Sequence, residues 1–401
     1  MSMFVPKLKH ALLLKLMNFM GKFMPGSSYM AFAGPGSSLQ LCRHISRTGV
    51  TKVLVVTDKV LRELGVVDKV VEGLLAANID LAYYDGVQPD PTYDQVAEGV
   101  KVLHAQGSQV VLAVGGGSVI DAAKIIAASS NSSEPPQSWV GMGKIKHKFM
   151  KIYAVPTTAG TGSEATLGAV ISDSKTHEKG VIGMKDLLPA AVALDPELAL
   201  GLPPHITAAT GMDALTHGIE AYIGVWERGT RLEHASAAVK LVFENLKTAY
   251  HDGTNLAARE GLSMGAYYGG IAINQVNVGN VHAIAHQLGA KYSIPHGLAN
   301  AMVLPNVLDF CREEAQARLA ELAVLVGAGS EGDDQAQLSH SFIQAVRDLR
   351  TEVGITSCSE KIQAEDFDEL CSAAIAEGSM YPVPKLLDTA HTMEILRKLL
   401  P

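Results

Sequence analysis

From residue 29 to about residue 203, short apolar runs alternate with longer stretches whose apolar residues recur every three or four positions. Tyr29–Ala33, Lys52–Val56 (KVLVV), Leu81–Tyr84 and Gln109–Val114 (QVVLAV) have the length and β-branched content of strands. Between them, Leu39, Leu41 and Ile45 mark one helix, Leu61, Val66, Val70 and Leu74 a second, and Val119–Ala128 a third. Such β-α alternation predicts a parallel sheet covered by helices on both faces. A hairpin is expected around Asp173-Ser174-Lys175. At Pro203-Pro204 the alternation stops, and long helical patterns follow over His205–Tyr222, Leu232–Ala249, Leu256–Ile273 and onward to the C-terminus. The pattern divides the chain into an N-terminal extension (1–28), an α/β domain (29–203) and an all-α domain (204–401).

Composition narrows the class. At 401 residues, 47% hydrophobic and 18% charged, the chain has the make-up of a soluble two-domain enzyme. A net charge of −8 argues against a nucleic acid or an anionic membrane as the main partner. Cys42, Cys311, Cys358 and Cys371 are widely spaced and form no C-x-x-C pair, which fits a reducing cytoplasm and excludes a cysteine metal site. Lys7–Met24 (KLKHALLLKLMNFMGKFM) superficially resembles a signal peptide. Lys15 and Lys22 interrupt it, no small-residue cleavage site follows, and the run is too short to span a bilayer. An amphipathic helix packed on the body or on a neighbouring subunit is expected, with no stable membrane insertion.

Candidate chemistry concentrates in two places. Asp213 and His217 are four residues apart, so on a helix both project from one face, close enough to grip one cation. His282 and His286 repeat that spacing, and His296 follows after Ile294-Pro295. One Asp and up to three His would complete a four-coordinate site with room for a substrate oxygen. The competing reading is a surface pair or a helix cap, but unpartnered histidines among Ala, Gly and Ile are costly to bury. In the first half, a strand runs straight into Gly115-Gly116-Gly117-Ser118 and then a helix, which suits a pyrophosphate at the helix N-terminus. No G-x-G-x-x-G opens the first βα unit. Asp58, at a strand end, would accept hydrogen bonds from a ribose and repel a 2′-phosphate, or serve only as a helix cap. Thr157, Thr158 and Thr161 in PTTAGTGSE offer hydroxyl donors, and Lys179 offers positive charge.

Together, DGVQPDPT, GGGSVIDAAK, PTTAGTGSE, LPPHITAATGMDALTHGIEAY and VHAIAHQLGAKYSIPHGLANAMVLP resemble the iron-containing (group III) alcohol dehydrogenase family, from about residue 29 to the C-terminus. The resemblance implies a dehydroquinate synthase-like α/β dinucleotide-binding domain and an all-α metal-binding domain. It implies NAD, Fe2+ (with Zn2+ as an alternative), a small alcohol or aldehyde substrate, and a homodimer or larger homo-oligomer. Asp213, His217, His282 and His296 match the metal ligands, and His286 matches a histidine facing the substrate pocket. Asp58, Gly115, Gly116, Gly117, Ser118, Asp121, Thr157, Thr158, Thr161 and Lys179 match cofactor-contacting positions. The implied reaction is hydride transfer between a primary alcohol or diol and NAD, with the metal polarising the alcohol oxygen. Val119 stands where many members have proline, Asp90 where some have asparagine, and the N-terminal extension is atypical. Two other readings stay open: a lyase of the dehydroquinate synthase kind, and a structural subunit that assembles through the extension.

Overall fold

The computed structural model describes residues 4–21, 30–176, 178–226 and 229–401, so that Tyr29, Lys22–Met24 and most of the segment after them lie outside the described residues. The chain forms two units: Ser27–Gly201, and Met1–Gly26 together with Leu202–Pro401. Helix α1 (Phe4–Gly21) belongs to the second unit, where the His10 Nδ1 atom lies 3.4 Å from the Ser379 carbonyl oxygen.

The first unit runs β1 (Ala31–Ala33), α2 (Ser37–Ser46), β2 (Lys52–Val56), α3 (Lys59–Glu63), α4 (Val66–Leu75), β3 (Asp80–Tyr84), α5 (Tyr93–Gln106), β4 (Val110–Gly115) and α6 (Gly117–Ala128). It continues through β5 (Gly141–Met142), β6 (Lys151–Pro156), β7 (Gly168–Ser172), β8 (Lys179–Gly183) and β9 (Ala191–Leu194). Six strands pair in parallel in the order β1-β9-β6-β4-β2-β3, with Val53 opposite Val110 and Gly115 opposite Pro156. Every residue of β4 is buried, as expected of a strand with both faces covered. On one face Val53, Val55, Leu112 and Val114 pack with Leu41, Ile45, Val70 and Leu74. Strands β7 and β8 form the antiparallel hairpin, and β5 adds to β8 to make a small second sheet. The single helix expected from Leu61 to Leu74 is two helices. Gly65 takes a left-handed φ of 71° between α3 and α4, a conformation that costs glycine nothing.

The second unit contains α7 (Pro204–Ile223), α8 (Arg231–His251), α9 (Leu256–Val276), α10 (Asn280–Tyr292), α11 (His296–Cys311), α12 (Gln316–Leu325), α13 (Gln335–Glu352), α14 (Phe367–Gly378) and α15 (Thr389–Arg397). Helix α7 is buried almost all round. Its small residues let neighbours approach: Leu246 packs over Gly211, and Ala238 and Val239 over Gly218. Among the described residues no helix is long and apolar enough to cross a membrane.

Candidate active site

Burial of α7 is what makes its polar residues conspicuous. Asp213 and His217 lie one turn apart on it, His282 comes from α10, and His296 is the first residue of α11. One ligand atom from each of these four side chains lies within 4.8 Å of all the others. Asp213 Oδ1 is 3.9 Å from His217 Nε2, 4.0 Å from His282 Nε2 and 3.4 Å from His296 Nε2. The approach of α11 to α7 depends on Gly297, since a Cβ there would lie 2.3 Å from the Ala209 carbonyl oxygen. Any side chain at 297 would push His296 away from Asp213.

The electrostatics favour a cation at this point. His282 Nε2 lies only 3.1 Å from His217 Nε2, and their rings stack. Burial, with His217, His296 and His286 as neighbours, holds the His282 imidazole well below its ordinary range, so it is neutral. Its Nδ1–H donates to Glu220 Oε2 at 2.6 Å, which leaves the Nε2 lone pair for a ligand. Glu220 also accepts from the Gly279 and Val281 amides at 2.9 and 2.7 Å, while burial pushes its carboxyl up to about 7. Burial works to raise the Asp213 carboxyl, but His217, His296, His282 and donation from Asn300 hold it below the usual range. Converging lone pairs beside a carboxylate repel one another unless a proton or a cation lies between them. One carboxylate oxygen with three imidazole nitrogens suits a first-row divalent ion such as Fe2+ or Zn2+. The residues fit such an ion.

His286 stands beside this group. Its ring stacks on His296 at 5.4 Å between centroids and meets His282 edge-on at 5.6 Å.

The other predicted residues gather in the first unit. Strands β2, β4 and β6 are sheet neighbours, and at their C-terminal ends lie Asp58, the Gly115–Ser118 loop and Thr157-Thr158. The chain steps from β2 outward to β3 and then returns to β4 on the other side of β2. Ligands of open α/β sheets bind at such a reversal. Helix α6 has no side-chain cap at Gly116, so its first amides are open to an anion. A Cβ on Gly117 would lie 2.6 Å from Thr161 Oγ1, and one on Gly116 would lie 3.2 Å from Thr158 Oγ1, so both threonines press against the glycine loop. Asp58 does cap α3, with Oδ1 accepting the Leu61 amide at 2.9 Å. Lys179 Nζ is paired with Asp90 Oδ1 at 2.6 Å, and Asp90 takes a left-handed φ of 55°. Asp121 is turned inward: one oxygen accepts from Ser163 Oγ and the other from the Val170 amide.

Four further residues stand out. Lys124, fully buried, donates to the carbonyls of Ser163, Thr166 and Gly168 and so ties down the chain after Thr161. A lysine in the apolar run of α6 was its sequence signal. Glu220 and Asn300 share helices with the candidate ligands, three and four residues from His217 and His296. Asn300 Nδ2 donates to Asp213 Oδ1 at 2.7 Å and lies 3.1 and 3.2 Å from His282 and His296 Nε2. Glu377, which meets His286, carried no sequence signal.

Comparison with known proteins covers both units of the chain from residue 30 to residue 400. A family model described as iron-containing alcohol dehydrogenase matches residues 30–196, and its C-terminal counterpart matches residues 207–400. The 1,3-propanediol dehydrogenase of Citrobacter freundii is 35% identical over 371 residues, 92% of this chain and 96% of that protein. The lactaldehyde reductase of Escherichia coli (strain K12) is 35% identical over 351 residues, covering 86% and 91%. A crystal structure of 1,3-propanediol oxidoreductase superposes with a TM-score of 0.90 at 34% identity, over 94% of this chain and 100% of that one.

Proposed function

The chain belongs to the iron-containing alcohol dehydrogenase family, and from that premise we propose that it interconverts short primary alcohols or diols and their aldehydes with NAD. It is an oxidoreductase of the NAD-dependent kind. Three-carbon diols and hydroxyaldehydes are the first substrates to try, because the relatives are a propanediol dehydrogenase and a lactaldehyde reductase. The observation that carries the reading is the convergence of Asp213, His217, His282 and His296 on one point. In our assignment these four hold Fe2+, and residues 204–401 form the metal domain. Residues 29–203 take the cofactor, and α1 of the 1–28 extension joins the helical unit without supplying a ligand.

When bound, the cation supplies Lewis acidity to the alcohol oxygen, and the nicotinamide supplies the ring that takes the hydride. The chain does the rest. Amides of Gly117 and Ser118 receive the pyrophosphate, and Thr157, Thr158 and Thr161 donate to cofactor oxygens. Asp58 keeps Oδ2 for a ribose hydroxyl and repels a 2′-phosphate. Lys179, held in an ion pair with Asp90, offers the cofactor a further hydrogen-bond donor. His286 accepts the hydroxyl proton at Nε2. A cytoplasmic homodimer or larger homo-oligomer completes the reading. Free Cys42, Cys311, Cys358 and Cys371 support the reducing compartment, and the exposed Leu12 and Leu16 of α1 support self-association.

The test is NADH formation at 340 nm by anaerobically prepared, iron-loaded protein with 1,3-propanediol and 1,2-propanediol. Turnover with NAD well above NADP is expected. No NADH from any short primary alcohol or diol, at full metal occupancy, would sink the proposal.

A further inference from the structure

Helix α14 ends in AIAEG, a stretch with nothing in its spacing to suggest chemistry. Yet Glu377 Oε1 lies 2.6 Å from His286 Nδ1, across 91 residues of chain. The same oxygen accepts the Tyr381 hydroxyl at 2.6 Å, and Oε2 accepts Gln287 Nε2 at 2.7 Å. Burial works to raise this carboxyl, but His286, Tyr381 and Gln287 together hold it below the ordinary range. The result is an ionised, three-donor carboxylate that has one orientation available to it.

The consequence falls on His286. A carboxylate only accepts, so the Nδ1 of His286 carries the proton and donates it to Glu377. The opposite nitrogen, Nε2, then bears the lone pair, and among the described residues it makes no hydrogen bond within the chain. The ring is clamped between Glu377 on one edge and the faces and edges of His296 and His282 on the other side. This is the arrangement in which one partner sets both the tautomer and the rotamer of an imidazole. Gln287, the next residue, reaches the same carboxylate, so Glu377 also fixes the C-terminal half of α10 against α14.

We propose that Glu377 is the positioning residue for His286, holding it with Nδ1 protonated and Nε2 presented as the acceptor of the substrate hydroxyl proton. The proposal rests on the reading of His286 as that acceptor. Glu377 itself touches no reacting atom. Its role is orientation, and an amide oxygen at the same place meets the same need: Gln in place of Glu still accepts Nδ1–H, and Gln287 can turn its own amide to suit.

The experiment compares H286A, E377A, E377Q and the double variant E377A/H286A, each loaded with metal and assayed with 1,3-propanediol and NAD. Glu377→Ala is expected to lower kcat about 10–100-fold with little change in KM. Glu377→Gln should recover most of that loss, and the double variant should be no slower than H286A. Metal content by elemental analysis should stay full in all four. In zinc-loaded, 15N-histidine-labelled protein, the long-range 1H–15N pattern of His286 should read Nδ1–H in the wild type and in E377Q, and mixed tautomers in E377A. Full kcat in H286A would overturn the reading of His286 itself. An impaired H286A beside a normal E377A would overturn the positioning role alone. Equal losses in E377Q and E377A, or loss of metal in E377A, would also overturn it, in favour of charge or of packing respectively.

Discussion

Glu220 shows how much a residue beside the candidate metal site can do without being one of its ligands. Its oxygens accept two backbone amides and the His282 Nδ1–H, so His282 reaches the ligand cluster already turned and in the right tautomer. Glu220→Ala should therefore weaken metal binding about 10–100-fold while all four ligands remain, measurable by competition with a chelating dye. His282→Ala or His296→Ala should remove most bound metal and most activity, because the remaining ligands leave an incomplete shell. Elemental analysis showing full occupancy in both would reassign the ligands. Asp58 raises a different question, since its Oδ1 is spent on capping α3. If Oδ2 also meets the cofactor, Asp58→Gly should shift the NAD/NADP ratio of kcat/KM by on the order of 1–3 kcal/mol, whereas a cap alone should change only stability. At this scale the sequence was partly legible. Asp213, His217 and His282 announce themselves because a helix turn puts i and i+4 on one face. Glu377 could not be found that way, because its partner lies on another helix and only the packing of α14 on α10 brings them together.

Elements meet through residues that permit close approach or that hold a turn. Gly297→Ala would drive a Cβ into the Ala209 carbonyl and lift the start of α11 from α7. Weakened metal binding in a folded protein is the expected outcome, read by elemental analysis beside circular dichroism. Lys124 plays the opposite part, holding the Ser163–Gly168 segment by three carbonyls. Lys124→Met should cost about 1–3 kcal/mol per stranded carbonyl and raise the KM for NAD, because Thr161 lies two residues before that segment. Next to it, burial pushes Glu164 up from 4.5 to about 7, against a backbone hydrogen bond and Lys124. The folded chain then keeps a proton that the unfolded chain has released, so stability falls as pH rises from 4.5 to about 7. Glu164→Gln should flatten the dependence of Tm on pH across that window. An unchanged slope would assign the pH dependence to other groups. The strands were legible as short, β-branched apolar runs and the long helices by their 3.6-residue period. Gly65 was overlooked because the apolar spacing carries on through it, although its left-handed φ ends one helix and starts the next. The order β1-β9-β6-β4-β2-β3 was not legible, since pairing depends on contacts far apart in the chain.

In the whole molecule the candidate ligands and the candidate cofactor residues belong to different units, residues 202 onward and Ser27–Gly201. A chelator should therefore lower the melting temperature of the helical unit, and NAD should raise that of the α/β unit. Mass-spectrometric proteolysis on heating separates the two, and equal shifts in both would show them to melt as one. The break at Pro203-Pro204 was visible in the pattern because a change of period needs no long-range contact. The allegiance of α1 was not visible. It is grouped with residues 202 onward although 369 positions separate His10 from Ser379. At the usual 5–20 residues per second, that interval is roughly 20–70 s of synthesis. Throughout that time the Ser379 carbonyl that His10 meets has not been made, so this contact of α1 cannot form. For α1, then, docking is a matter of timing as well as of packing.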